Sequence, residues 1–286
     1  NAHKTPQFWL LWIILCMNVS AGIGILGAAS PMLQETFGGD LVGKPELGYL
    51  ELKSDTTMAS AAASIGAGFV GLLSLFNIFG RITWASLSDK LGRKLTYIIF
   101  FTLGCALYIL ASMAAGWKTL PIFVLALCII ASMYGGGFAT IPAYLADMFG
   151  TKFVGAIHGR LLTAWSTAGL IGPAIVNYLH DTRQAAGIPL DQIYGSIFYI
   201  LAAMLVIGFV ANLLVRPVAT KWHMSNEELA AEQTLDKGDR NVTSTGSFGI
   251  GRGGLDFRTA LFGLLVGIPL GWGVWITLQK ALLSFS

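Results

Sequence analysis

Arg81 lies within residues 65–87, an apolar run long enough to cross a bilayer and otherwise free of ionisable side chains. An ionised group near the bilayer centre costs about 2.5–3.5 kcal/mol on insertion scales, and a bound anion would offset that cost. Ser74, Asn77, Arg81, Trp84 and Ser88 recur at spacings of three, four, three and four, which places them on one face of a helix. That face is expected to look at protein or water rather than lipid. The eight residues from Arg81 to Asp89 rise about 12 Å, close to half of a ~30 Å hydrocarbon core. A guanidinium presents paired, coplanar donors suited to a carboxylate. The competing reading is that Arg81 pairs with an internal acid or caps carbonyls. No acid occurs in a neighbouring apolar span of this chain, although one from elsewhere in a longer protein would serve.

The elements that must position this residue are membrane helices. Of 286 residues, 55% are hydrophobic and 12% charged, too apolar for a soluble domain with a wetted surface. Seven stretches are long enough to span: 8–28, 61–87, 95–115, 121–146, 156–178, 196–215 and 259–278. Backbone groups in lipid must be paired within each span, so the predicted fold is an all-α polytopic membrane bundle. Gly172 and Pro173 are expected to bend or locally open the fifth span. Residues 38–57, which join the first two spans, read as a long acidic surface loop.

Basic residues alternate between the two sides. Lys4, Lys90, Arg93, Lys94, Lys152, Arg160 and Arg216 cluster near helix ends on one side. Lys44, Lys53, Lys118, Arg183 and Lys280 are sparse on the other and are offset there by acids. By the positive-inside rule the N-terminus and the segment after residue 215 face the cytoplasm, in a cell (inner or plasma) membrane. His158 and Arg160, at the cytoplasmic start of the fifth span, read as interfacial anchors. Cys16, Cys105 and Cys128 lie in apolar spans and form no disulfide framework. His3, His180 and His223 are scattered, so no metal site is proposed, and neither a cofactor nor a nucleic-acid partner is expected.

Three regions follow: a six-helix bundle over 1–216, a polar Gly- and Ser-rich linker over 217–257, and an additional membrane helix over 258–286. The spacing of Ser225 and Glu228 predicts a capping box for a short linker helix. Gly249, Gly251 and Gly253 lack the preceding strand of a phosphate loop. Asn241-Val242-Thr243 matches a glycosylation acceptor by chance, since it lies on the cytoplasmic side.

Gly80-Arg81-x-x-Trp84-x-x-x-Ser88-Asp89-x-x-Gly92-Arg93-Lys94 ends a helix in a short, basic, glycine-broken turn. Asp89 is then within reach of Arg93, of Lys94 or of a helix N-terminus, which makes Asp89, Gly92, Arg93 and Lys94 a candidate conformational latch. This segment resembles the loop motif of the major facilitator superfamily, in the copy between the second and third helices of the C-terminal half. Tyr134-Gly-Gly-Gly-Phe138-Ala-Thr-Ile-Pro142-Ala-Tyr144-Leu-Ala-Asp147, followed by Gly155-Ala-Ile-His158-Gly-Arg160-Leu-Leu-Thr163-Ala-Trp165, is similar to the fourth and fifth helices of that half in oxalate/formate antiporter-like transporters. The last span looks like the one-helix companion subunits of some such transporters, with a plain membrane anchor as the alternative.

The resemblance, which covers roughly residues 8–216, implies a cationic substrate site near the midplane, with an arginine where this chain has Arg81. Oxalate exchangers of the family carry a lysine in the fifth helix of this half, and Thr163-Ala164-Trp165-Ser166 replaces it with Trp165. One cation in place of two favours a monoanion such as pyruvate, lactate or formate, because an unpaired second carboxylate in a low-dielectric cavity is penalised. Trp165 either shapes the cavity wall or simply packs. Asn77, Trp84, Tyr134 and Tyr144 are further candidates for the same path, Asn77 by orienting the guanidinium. The partners so implied are a small carboxylate, the lipid bilayer and an N-terminal six-helix half, the chain reading as the later part of a longer protein. A sensor that binds the anion without moving it is the alternative to a carrier working by alternating access. An enzyme is disfavoured, because no paired carboxylates, nucleophile with base, or metal cluster occurs in the helices.

Overall fold

Thr5 and Pro6 start the first long helix. The Thr5 hydroxyl accepts the Phe8 amide at 3.3 Å, and Pro6 occupies a first-turn position whose N–H would have no partner in the helix. The computed structural model describes residues 2–219 and Trp222. After a single 3-10 turn at Ala2–Lys4 come α1 (Pro6–Leu41), α2 (Tyr49–Ser54), α3 (Thr56–Leu91), α4 (Arg93–Gly116), α5 (Leu120–Phe149), α6 (Val154–Leu161), α7 (Thr163–Ala185) and α8 (Leu190–Leu214). The expected extra helix at 258–286 and the linker beyond residue 219, Trp222 apart, lie outside the described residues.

The helix ends follow local chemistry. Asp55 caps α3 by accepting the Thr57 and Met58 amides at 2.8 and 3.0 Å, and Gly92, at φ +86°, ends it with a backbone sign that a side chain resists. Two expectations are corrected. Residues 38–57 are not a plain surface loop: α1 continues to Leu41, with non-helical dihedrals at Phe37, and α2 forms inside the connection, its Glu51 carboxylate accepting the Gly48 amide. The fifth span is broken at Leu162 rather than at Gly172 and Pro173, and α7 runs through that pair uninterrupted. Proline forfeits one hydrogen bond, which a helix packed against its neighbours tolerates.

α3 packs along α5, α4 along α8, and α1 along both α7 and α8. α1, α3, α4, α5 and α8 are long and apolar enough to cross a membrane. α7 is less apolar, since it carries Thr163, Ser166, Thr167, Asn177, His180, Asp181, Thr182 and Arg183. The core is rich in large rings: Tyr97, Tyr108, Phe100, Phe101, Phe123 and Phe198 are fully buried. Their polar atoms find backbone acceptors, as a water-free interior requires. The Tyr97 hydroxyl donates to Gly137 O at 2.6 Å and that of Tyr108 to Ala21 O at 2.9 Å, tying α4 to α5 and to α1.

Candidate functional site

The position of Arg81 follows from a glycine-made crossing of α3 and α5. Gly80 lies so close to Ser132 that a Cβ there would stand 2.6 Å from the Ser132 carbonyl carbon, and a Cβ at Gly136 would stand 2.5 Å from that of Trp84. Polar side chains bind the same crossing. Asn77 Nδ2 donates to Ala131 O at 3.3 Å, and the Trp84 indole donates to Ser132 Oγ at 3.2 Å while its ring meets Phe100 edge-on at 5.0 Å. Asn77 and Trp84, expected along the substrate path, are placed by the structure in the α3–α5 seam. Asn77 is 8% exposed and its side-chain amide is anchored on the backbone of α5, and Trp84 wedges the seam. Ser74 and Arg81 remain exposed, so the polar stripe straddles the edge of the crossing instead of lying on one open face.

Arg81 reaches across to a group of aromatic rings. Its guanidinium carbon lies 5.5 Å from the centroid of Phe138 on α5, within range of attraction to the ring face. Phe138 in turn lies 4.7 Å, centroid to centroid, from Trp165 on α7. The Tyr134 hydroxyl lies near both Trp165 and Arg81, close enough for each to act on it electrostatically. Tyr134 also lies against α1, where a Cβ at Gly22 would come within 2.5 Å of its ring. Arg81, Tyr134, Phe138 and Trp165 thus converge from α3, α5 and α7. Among the described residues, no carboxylate lies within ion-pair distance of Arg81. Phe138 was passed over in the sequence although it follows Tyr134 by four residues and so shares its face.

Tyr144 does not join this group. It is 3% exposed, ten residues or about 15 Å further along α5, and donates to Asn212 Oδ1 on α8 at 3.1 Å. The amide of Asn212 donates to Lys94 O at 3.0 Å, so Tyr144 belongs to the joint between α4, α5 and α8.

The turn between α3 and α4 carries an ionic network. Arg93 pairs with Asp89 and donates to Ser88 Oγ, and its Nε lies 3.6 Å from Asp147 Oδ2 near the end of α5. Three helices therefore meet on one guanidinium, with Gly92 providing the tight turn. Lys94 departs from the expected contact with Asp89: its Nζ donates to the carbonyls of Leu213 and Val215, at 3.0 and 2.8 Å, and so caps the C-terminal end of α8. Asp147 was visible in the sequence only as part of a motif. Its partner lies 54 residues upstream, and the parallel packing of α5 along α3 brings the ends of both helices to it.

A bundle of apolar helices, with an ionic joint at one end and an arginine that has no carboxylate partner among the described residues, has the architecture of a polytopic membrane protein. The family model described as Major Facilitator Superfamily matches residues 11–285, and the chain belongs to that family. It is 27% identical over 232 residues to the oxalate:formate antiporter of Oxalobacter formigenes, a match covering 79% of this chain and 48% of the antiporter. It is also similar to the glucose transporter GlcP of Staphylococcus epidermidis, at 30% identity over 159 residues, with 54% of this chain and 32% of GlcP covered. A third relative is the uncharacterized MFS-type transporter YhjX of Escherichia coli K12, at 22% identity over 161 residues, covering 56% and 34%. The chain spans about half or less of the length of these relatives.

Proposed function

We propose that this chain supplies the C-terminal half of a secondary transporter that moves a small monocarboxylate across the cell membrane by alternating access. The observation that carries the reading is Arg81, a cation with no carboxylate partner among the described residues, set against Phe138, Trp165 and Tyr134. A carboxylate arriving there would meet two coplanar N–H donors and walls of ring carbon, with one positive charge to neutralise one negative. A second carboxylate would face the ring of Trp165, which carries no positive charge to neutralise it. The relationship to an oxalate:formate antiporter supports an organic-anion substrate, and Trp165 shifts the preference from a dianion to a monoanion.

The N-terminal half of such a carrier would cover apolar side chains that this chain leaves open, among them Ile78, Phe79 and Ile82 on α3 and Leu170 on α7. The network at Asp89, Arg93 and Asp147 would then hold one of the two states, being a small set of contacts that a rocking bundle makes and breaks.

Counterflow by the full-length protein in liposomes, against mono- and dicarboxylates, tests the assignment. Arg81→Gln is expected to abolish carboxylate uptake with normal expression, and Trp165→Lys to raise the preference for dicarboxylates. Uptake that survives Arg81→Gln removes the site, and binding without any flux would make the protein a sensor.

A further inference from the structure

At the end of the bundle opposite the Asp89–Arg93–Asp147 network, an imidazole stands between two carboxylates. His180 of α7 places Nε2 2.9 Å from Glu35 Oε2 of α1, and Nδ1 3.3 Å from Asp181 Oδ1. A neutral imidazole has one N–H and one lone pair, so it can donate to only one of the two; the imidazolium donates to both. The Glu35 side chain is 10% exposed and that of His180 19%, which keeps their contact away from the screening that weakens surface pairs. Tyr194 of α8 closes a third side, its ring centroid 5.6 Å from that of the imidazole and its hydroxyl near enough to Glu35 to feel its charge. Tyr49 of α2 is near enough to Glu35 to feel its charge. Lys118, in the turn after α4, is held by Thr36 O and Asp191 Oδ2 at 2.9 and 2.8 Å. The groups facing His180 and Glu35 are thus carboxylates and phenols, and the ring supplies the positive charge.

α1 and α7 also meet elsewhere along their length. At the other end the Trp12 indole donates to Thr163 Oγ1 at 2.9 Å, and midway the helices cross so closely that a Cβ at Gly172 would meet the Ser20 carbonyl and stand 3.0 Å from Ile23 Cγ2. Neither of those two depends on a titratable group. We propose that Glu35, His180 and Asp181 form a proton-binding site that fastens the C-terminal end of α7 to α1. Loss of the proton leaves one N–H for two carboxylates and turns a lone pair of the ring toward one of them, so the hold on the end of α7 beyond the glycine crossing weakens. The site is independent of the substrate assignment, since Arg81 and its rings take no part in it.

His180 lies past residue 178, where the apolar stretch ends. Burial opposes its charged form, but hydrogen bonds and charges from Glu35 and Asp181 outweigh burial, so the ring titrates above its ordinary range. The fastening is therefore complete below the ordinary imidazole value of about 6.5 and is lost as pH rises through the raised value.

Histidine-selective 15N NMR of the full chain in lipid nanodiscs tests this, with the His180 signals assigned by their absence in His180→Gln. Both ring nitrogens should remain protonated above about pH 6.5, and Glu35→Gln should lower the midpoint. A midpoint at or below the ordinary value, or one that Glu35→Gln leaves in place, overturns the proposal. The unmodified protein decides the first point, so a variant that fails to fold does not rescue the idea. Nitroxide labels at the exposed positions Asp40 and Gln184, on a background with the three cysteines replaced by alanine, report the movement. A narrow distance distribution at about pH 6 should broaden and lengthen at about pH 9, while His180→Gln should give the broad form at both. Identical distributions at the two pH values in the protein with His180 intact refute the fastening.

Discussion

Replacing Gly80 with alanine separates the two helices that present Arg81. The new Cβ would stand 2.6 Å from both the carbonyl carbon and the Cα of Ser132. Carbon atoms rest at about 3.5–4.0 Å, so α3 and α5 must part by about 1 Å, and the atoms in the way are backbone with no rotamer to escape into. Forcing a methyl group into a filled seam costs about 1–3 kcal/mol. With tenfold per 1.4 kcal/mol, the unfolding equilibrium rises from about 5-fold to more than 100-fold. The same movement stretches the bonds from Asn77 to Ala131 O and from Trp84 to Ser132 Oγ, and carries Arg81 away from Phe138. Gly68→Ala is the control on the same helix, because a Cβ there meets nothing within 4 Å. It should be neutral or stabilising by up to about 1 kcal/mol through helix propensity. Thermal or denaturant unfolding of the two variants in detergent measures the difference directly. If both variants shift stability in the same direction by similar amounts, the close crossing does not hold Arg81 in place.

Tyr144→Phe should destabilise the protein by about 1 kcal/mol through loss of its bond to Asn212, while leaving the substrate preference of the full-length carrier unchanged. A changed preference in counterflow would return Tyr144 to the substrate path. Asp147→Asn should alter thermal stability by less than about 1 kcal/mol, because its carboxylate is 60% exposed and the pair is partly screened. Its larger effect should appear in the rate of uptake, and an unchanged rate would remove Asp147 from the latch. Thermal stability should fall as pH rises through the raised His180 value, since the folded state holds a proton there that the unfolded chain releases. Glu35→Gln should flatten that slope, and an equal slope in both proteins would assign it to another group.

Much of this protein was determined by sequence alone. Apolar runs of bilayer length dictate helices because lipid offers no partner to an open backbone, and Gly92, Asp55 and Pro6 mark helix ends by their own backbone or capping chemistry. Arg81 was legible for the same reason, as a lone charge in such a run. The turn at Asp89, Gly92 and Arg93 was legible because its partners are neighbours in sequence.

Only tertiary structure decided which side of α3 is occupied. Asn77 and Trp84 share a stripe with Arg81 yet face α5, because glycines at 80, 135 and 136 let the two backbones meet there. Helical periodicity gives an angle around one axis but not the neighbour that fills it. The rings around Arg81, the reach of Arg93 to Asp147 and the meeting of Glu35 with His180 likewise join residues 54 to 145 positions apart. Their types are ordinary in isolation, and their chemistry arises from the packing of antiparallel and parallel helices that brings them within a few ångströms.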